Sequence, residues 1–92
     1  MCNGKNYIVL FTKDFDKELD KLSKVHKELV LSKVLILENN PFYPSLRTKK
    51  MKGNTGNYES SINMSIRIIW QFVNNKIIAL LDVGHHDVLR KY

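Results

Sequence analysis

The chain has 92 residues, one cysteine and a formal net charge of +6. This length predicts a single small domain over residues 1–92, and one cysteine excludes an internal disulfide framework and a cysteine-based zinc site. Because the sequence has no apolar run of membrane-spanning length and no apolar signal segment at its start, we expect a soluble cytoplasmic protein, with residues 1–6 frayed.

The positive charge is concentrated in the second half of the chain. Residues 1–40 hold seven lysines against six acidic residues, whereas residues 41–92 hold eight basic residues against three acidic ones. A concentrated positive charge is typical of proteins that bind a polyanion, most often nucleic acid. A solvated, solubilising surface has the same composition, so charge alone leaves both interpretations open.

The first half of the chain predicts one strand and two helices. Tyr7–Phe11 is a β-branched and aromatic run of strand length. Thr12 then fits a helix N-cap, and apolar residues recur at helical spacing from Asp14 to about Val25. A second helix is predicted from about Lys27 to Glu38. The break near His26 leaves open whether the two form one bent helix or a hairpin.

The segment after the helices predicts an edge strand followed by a turn. Ser45–Met51 alternates weakly, and the Gly/Asn-rich Lys52–Asn57 predicts a turn. Basic side chains on such an edge discourage aggregation, and they are equally suited to contacting phosphates. The predicted phosphate-positioning residues are Arg47, Lys49, Lys50 and Lys52.

The strands that follow predict a hairpin with one polar strip. Tyr58–Ile62 and Ile66–Phe72 join through a three-residue loop, and this register places all the large apolar side chains on one face. A two-residue loop would mix the two faces. Because an unpaired buried charge is costly, Arg67 either has a structural partner, Glu59 or Asp82, or faces an anionic ligand. The polar strip consists of Glu59, Ser61 and Arg67. The aromatic residues predicted to lie in the core are Phe42, Tyr58 and Trp70.

The last predicted strand ends in a group of titratable residues. Ile77–Val83 is apolar on both faces, which predicts a central strand, and Gly84 ends it before His85, His86 and Asp87. Imidazole suits proton transfer near neutral pH, but an exposed pair of histidines without a role is the alternative. A metal site that combines these residues with Asp82 matches no familiar ligand spacing, so we expect neither a metal nor a cofactor.

The order β-α-α-β-β-β-β predicts an α+β fold, with two N-terminal helices packed on one face of a small, mainly antiparallel sheet. From Tyr7 to Tyr92 the chain resembles the RelE/ParE toxin superfamily. The resemblance is carried by that order together with four segments: Leu46–Gly53, Tyr58-Glu59, Ile66–Trp70 and Asp82–Asp87.

The resemblance implies the toxin of a type II toxin–antitoxin system. Toxins of the RelE, YoeB and HigB branches cleave mRNA in the ribosomal A site without a metal, through attack of the ribose 2′-hydroxyl that leaves a 2′,3′-cyclic phosphate. The implied partners are therefore mRNA, the ribosome and a cognate antitoxin in a toxin–antitoxin hetero-oligomer, with no membrane. The ParE branch shares the fold and targets gyrase.

The resemblance also suggests roles for individual residues. Arg67 matches the arginine that contacts the scissile phosphate, and His85 falls where the YoeB-like branch has its catalytic histidine. His86 falls where that branch has a tyrosine and RelE an arginine, and Tyr92 has the spacing of the C-terminal catalytic tyrosine of RelE. The expected catalytic set is Arg67, His85, His86, Tyr92 and Glu59.

Three positions depart from the family patterns. Glu59 and Ser61 lie where RelE has two lysines, and Lys49 or Lys50 lies near the glutamate base of YoeB-like toxins. These departures keep two alternatives open. One is a degenerate, non-catalytic RelE-fold protein that binds nucleic acid or antitoxin only, and the other is a ParE-like gyrase inhibitor.

Overall fold

Two helices and a five-stranded sheet form the part of the chain that the structure, a computed structural model, describes: residues 6–53 and 55–85. Strand β1 (Ile8–Phe11) is followed by helices α1 (Lys13–Leu19) and α2 (Lys24–Asn39). The remaining strands are β2 (Lys49–Lys50), β3 (Asn57–Ser61), β4 (Ile66–Phe72) and β5 (Ile77–His85). Their order in the sheet is β1-β5-β4-β3-β2, and the β1–β5 pair is parallel while the others are antiparallel. The predicted α+β fold is therefore confirmed.

The break between the two helices lies at residues 20–23, earlier than predicted. The prediction was wrong because Leu22 keeps the apolar spacing and packs against the core without being helical. Ser23 sets the true start of α2, since its hydroxyl accepts a hydrogen bond from the backbone N–H of His26 at 3.3 Å. Val25, which was counted in the apolar spacing of the first predicted helix, is instead 72% exposed.

The core lies between the helices and one face of the sheet, which we call the inner face. Buried side chains of both helices pack against it: Phe15, Val30, Val34 and Leu37. Trp70 at its centre is fully buried, stacks on Tyr58 with ring centroids 4.8 Å apart, and donates from Nε1 to the hydroxyl of Ser60 at 2.9 Å. Phe42, predicted to be core, is 54% exposed and only covers the edge of this aromatic group.

The N-terminal end of the described residues is anchored to α2. Asn6, predicted to be frayed, donates from its backbone N–H to the carbonyl of Glu38 at 3.1 Å. Neither helix in the described part of the chain has the length and apolar character that a membrane crossing requires.

The start of α1 is tied to β5 by a single hydroxyl. Thr12 is the predicted N-cap, and its Oγ1 accepts from the N–H of Phe15 at 3.2 Å and donates to the carbonyl of Leu80 at 2.7 Å. We expect Thr12→Ala to lower the free energy of unfolding by about 1–2 kcal/mol, because it removes the cap and leaves a carbonyl with one bond fewer. Thr12→Ser keeps the hydroxyl and is the matched control. Equal urea midpoints for all three proteins would contradict this account.

The hairpin register is the predicted one. Tyr58 pairs with Trp70 and Ser61 pairs with Arg67. Asn63 fixes the loop, because its Oδ1 accepts from the N–H groups of Ser65 and Ile66, both at 2.8 Å.

The predicted strand over Ser45–Met51 is much shorter than expected. Pro44–Leu46 forms a 3₁₀ turn, Leu46 is fully buried, and Arg47 takes a left-handed backbone conformation with φ of 47°. Burial of Leu46 turns the chain at this point, so only Lys49–Lys50 pairs with β3. This strand does lie at the edge of the sheet, as predicted.

Candidate functional site

Arg67 lies on the outer face of the sheet, which is the face opposite α1 and α2. Its neighbours Ile66 and Ile68 are in the core, and side chains alternate along a strand. Arg67 pairs with Ser61 on β3 and with Gly84 on β5. Residues directly opposite each other share a face. The cross-strand neighbours of Arg67 on this face are therefore the small side chain of Ser61 and, at Gly84, no side chain.

A cavity of about 310 Å³ opens beside Arg67. We call it the Arg67 pocket; besides Arg67 it is lined by Ser45, Arg47, Ser61, Ile62, Asn63 and Met64. Its volume is at the lower end of the range found for small-molecule sites. The pocket therefore has room for a small anionic group next to two arginines.

The arginine is held in place mainly by backbone carbonyls. Its Nη1 donates to the carbonyl of Asn63 at 2.7 Å and to that of Ile66 at 3.2 Å. Its Nε lies 3.9 Å from Oε2 of Glu59, and both side chains are partly exposed, at 22% and 13%. Arg67 therefore has one of its two predicted structural partners, Glu59, and it also borders a cavity; an anionic ligand in that cavity stays a prediction. A guanidinium fixed in this way can still present donors to the oxygens of a phosphate.

Two of the four predicted phosphate-positioning residues share the outer face with Arg67. Arg47 lines the pocket, and Lys49 pairs with Glu59 at the sheet edge. Lys50 pairs with Tyr58, so it extends from the inner face. Lys52 is exposed in the segment that follows β2.

His85 extends from the inner face, so the structure does not bring it into one hollow with Arg67. It pairs with Ile66, and its ring lies edge-to-face against that of His26 on α2, with centroids 6.3 Å apart. The physical reason is a β-bulge. Ile69 pairs with Asp82 whereas Trp70 pairs with Leu80, so one residue of β5 is skipped and the alternation of faces shifts.

Of the three remaining members of the expected catalytic set, the structure describes one. Glu59 lies on the outer face beside Arg67. His86 and Tyr92 lie outside the described residues, and so does Asp87.

The sequence-based alternative of a metal site at the end of β5 is not formed by the residues the structure describes. Asp82 is 4% exposed and its Oδ1 accepts from the N–H of Val83 at 2.9 Å. It pairs with Ile69 and therefore extends from the outer face, away from His85. Across the described ranges, His, Cys, Asp and Glu nowhere form a group of three or more that could hold a metal ion.

Sequence reasoning missed Asn63 as part of the site. The residue shapes the hairpin loop and its carbonyl accepts from Arg67. The available signal was an asparagine at the first position of a three-residue loop, where its side chain commonly bonds the backbone two residues on.

Comparison with known proteins identifies the fold. No protein-family model matches the sequence, and no curated protein matches it significantly. Solved structures do match. The archaeal RelE–RelB complex from Pyrococcus horikoshii OT3 contains a chain that is 27% identical over 87% of this chain and 94% of that one, with a TM-score of 0.72.

Two further toxin structures share the fold at lower identity. A RelBE toxin–antitoxin complex from Mycobacterium tuberculosis matches with 19% identity and a TM-score of 0.75, covering 88% of this chain and 92% of that chain. A YoeB/ParE toxin from Agrobacterium tumefaciens matches with 12% identity and a TM-score of 0.72, covering 86% and 98%. The resemblance drawn from the sequence is confirmed, and the chain has the fold of the RelE/ParE superfamily of type II toxins.

Proposed function

We propose that this chain is the toxin of a type II toxin–antitoxin pair and that it cleaves mRNA on the ribosome, with the RNA on the outer face. The observation that carries the proposal is Arg67, which two backbone carbonyls hold at the rim of a cavity that also contains Arg47. A rigid arginine beside a second cation suits a phosphate better than it suits a neutral ligand. The toxin fold supports RNA as the source of that phosphate.

The proposed reaction is attack of the ribose 2′-hydroxyl on the adjacent phosphorus. The P–O bond to the 5′-oxygen of the next nucleotide breaks, which leaves a 2′,3′-cyclic phosphate and a 5′-hydroxyl. The protein must accept one proton, return one to the leaving oxygen and stabilise the added negative charge. Arg67 supplies the charge stabilisation in this proposal.

Glu59 accepts the proton of the 2′-hydroxyl in this proposal. Its Oε2 lies 3.9 Å from Nε of Arg67 on the outer face. His85 extends from the other face and is assigned no proton transfer. His86 and Tyr92 stay predictions for the group that protonates the leaving oxygen.

An antitoxin is the proposed protein partner. The similar chains from Pyrococcus horikoshii and Mycobacterium tuberculosis were solved in toxin–antitoxin complexes. An acidic antitoxin segment that covers Arg47, Lys49 and Arg67 would neutralise the same cations that bind RNA. The bound antitoxin would in this way keep the toxin from binding its RNA substrate.

Controlled expression in a bacterial host tests the proposed activity. Induction of the wild-type chain should arrest growth and generate new RNA 5′ ends that carry a hydroxyl, within coding regions. Glu59→Gln should arrest growth more slowly. Growth arrest with intact mRNA and a DNA-damage response would overturn the proposal in favour of gyrase inhibition, and the absence of any arrest would favour a non-catalytic protein.

The contribution of the basic edge can be measured separately from cleavage. We expect Arg47→Gln and Lys49→Gln each to weaken binding of a 2′-O-methylated RNA oligonucleotide and to reduce the slope of log K against log salt concentration by about 0.7, because each removes one phosphate contact. Fluorescence anisotropy over a salt series gives both quantities. Lys24→Gln, on the exposed start of α2, is the matched control. An equal effect of that control would show that only net charge matters.

A further inference from the structure

We propose that His26 and His85 form a two-histidine site for a divalent transition-metal cation such as Zn²⁺ or Ni²⁺. The two rings meet edge-to-face, with centroids 6.3 Å apart and an interplanar angle of 82°. His26 is half-buried in the first turn of α2 and His85 is exposed at the end of β5. A shared ion would therefore join a helix to a strand that is distant from it in the sequence.

The separation of the rings fits a bridging ion. A Zn–N bond of about 2.1 Å and the ring's own radius of about 1.2 Å place each centroid about 3.3 Å from a shared ion. Two such ligands have centroids about 6.6 Å apart in a linear arrangement and about 5.4 Å apart in a tetrahedral one. The observed 6.3 Å lies between these limits. Because an imidazole binds a cation in the plane of its ring, binding requires rotation about the side-chain bonds that turns one nitrogen of each ring toward the ion.

The backbones that carry the two rings are held in place. The N–H of His26 bonds to the Ser23 cap at 3.3 Å, and His85 is paired with Ile66 in the β4–β5 ladder. Ion binding therefore restricts the conformational freedom of two side chains but not of two chain segments. This small entropic cost favours chelation over binding to a single imidazole.

Imidazole nitrogen is a preferred ligand of Zn²⁺, Ni²⁺ and Cu²⁺, and water completes the coordination when a site has fewer than four protein ligands. Among the described residues no third such ligand adjoins the pair. The site should thus bind more weakly than a four-ligand structural zinc site. Its physical effect is to clamp the start of α2 to the end of β5.

This site is independent of the proposed nuclease activity, which assigns His85 no proton transfer. The test uses the purified full chain carrying Cys2→Ser, so that the single thiol cannot bind the ion. Isothermal titration with Zn²⁺ and with Ni²⁺ should give one ion per chain. A tenfold excess of free ion over Kd should raise Tm by about 5 °C or more, since the ion binds the folded state.

Three substitutions in the same background decide which residues hold the ion. His26→Gln and His85→Gln should each abolish the rise in Tm, whereas His86→Gln should keep it. A full rise in the His26→Gln protein overturns the proposal, because the ion would then be held elsewhere. No heat of binding and no rise in Tm for the parent chain at about 1 mM ion would overturn it as well, since an ion that occupies the folded state must raise Tm.

Discussion

Arg67→Ala should lower the rate of mRNA cleavage by about 100-fold or more, because removing one preorganised donor to a developing oxyanion typically has an effect of that size. The fold should survive, since the ion pair with Glu59 is partly exposed and long at 3.9 Å, and such pairs contribute little to stability. The measurement is single-turnover cleavage of a defined mRNA on purified, programmed ribosomes. Circular dichroism on the same protein checks the fold.

Two matched variants make this result specific. Arg67→Lys keeps the charge but loses the planar fork, so its rate should fall between those of Arg67→Ala and the wild type. His85→Gln should cleave within about threefold of the wild-type rate, because its side chain extends from the other face. A wild-type rate for Arg67→Ala would remove the arginine from the mechanism. A loss in His85→Gln as large as that in Arg67→Ala would show that the assignment of the two faces to different roles is wrong.

Trp70→Ala should produce the largest loss of stability among substitutions in the core, about 3–5 kcal/mol. Trp70 is fully buried, stacks on Tyr58 and donates to Ser60. A domain of this size has about 5–15 kcal/mol of stability in total, so the variant should lose a large part of it. Urea denaturation followed by circular dichroism measures the difference.

A milder variant separates the ring from its hydrogen bond. Trp70→Phe keeps an aromatic ring but removes the indole N–H, and Ser60 retains its bond to the hydroxyl of Thr48 at 2.6 Å. Its cost should therefore be clearly smaller than that of Trp70→Ala. A loss of under 1 kcal/mol in Trp70→Ala would contradict the central position that the structure gives to this ring.

The strand half of the fold could be predicted because its pattern is strict. The alternation in Ile66–Phe72 and the short loop before it admit one register that keeps large apolar side chains together, and the structure has that register. The same pattern predicted the polar strip of Glu59, Ser61 and Arg67. The helix break was predicted wrongly because Leu22 continues the apolar spacing although it lies between the two helices. The hydroxyl of Ser23 caps α2, so the second helix begins directly after Ser23.

The placement of His85 could not be predicted by counting residues along β5. Ile78 and Leu80 lie in the core, and strict alternation from them would put His85 on the outer face with Arg67. The bulge opposite Ile69 and Trp70 skips one residue and moves His85 to the inner face instead. Nothing in the composition of this apolar strand marks the bulge, because Leu81 fits either face.

RNA is proposed to bind the outer face of the sheet, and NMR tests this placement directly. The measurement is a titration of the ¹⁵N-labelled wild-type chain with a 2′-O-methylated RNA oligonucleotide, which lacks the attacking hydroxyl. Amide shifts should concentrate at Ser61, Arg67 and Gly84, the cross-strand row of the outer face. Shifts confined to α1, α2 and the end of β5 around His26 and His85, with that row unchanged, would contradict it.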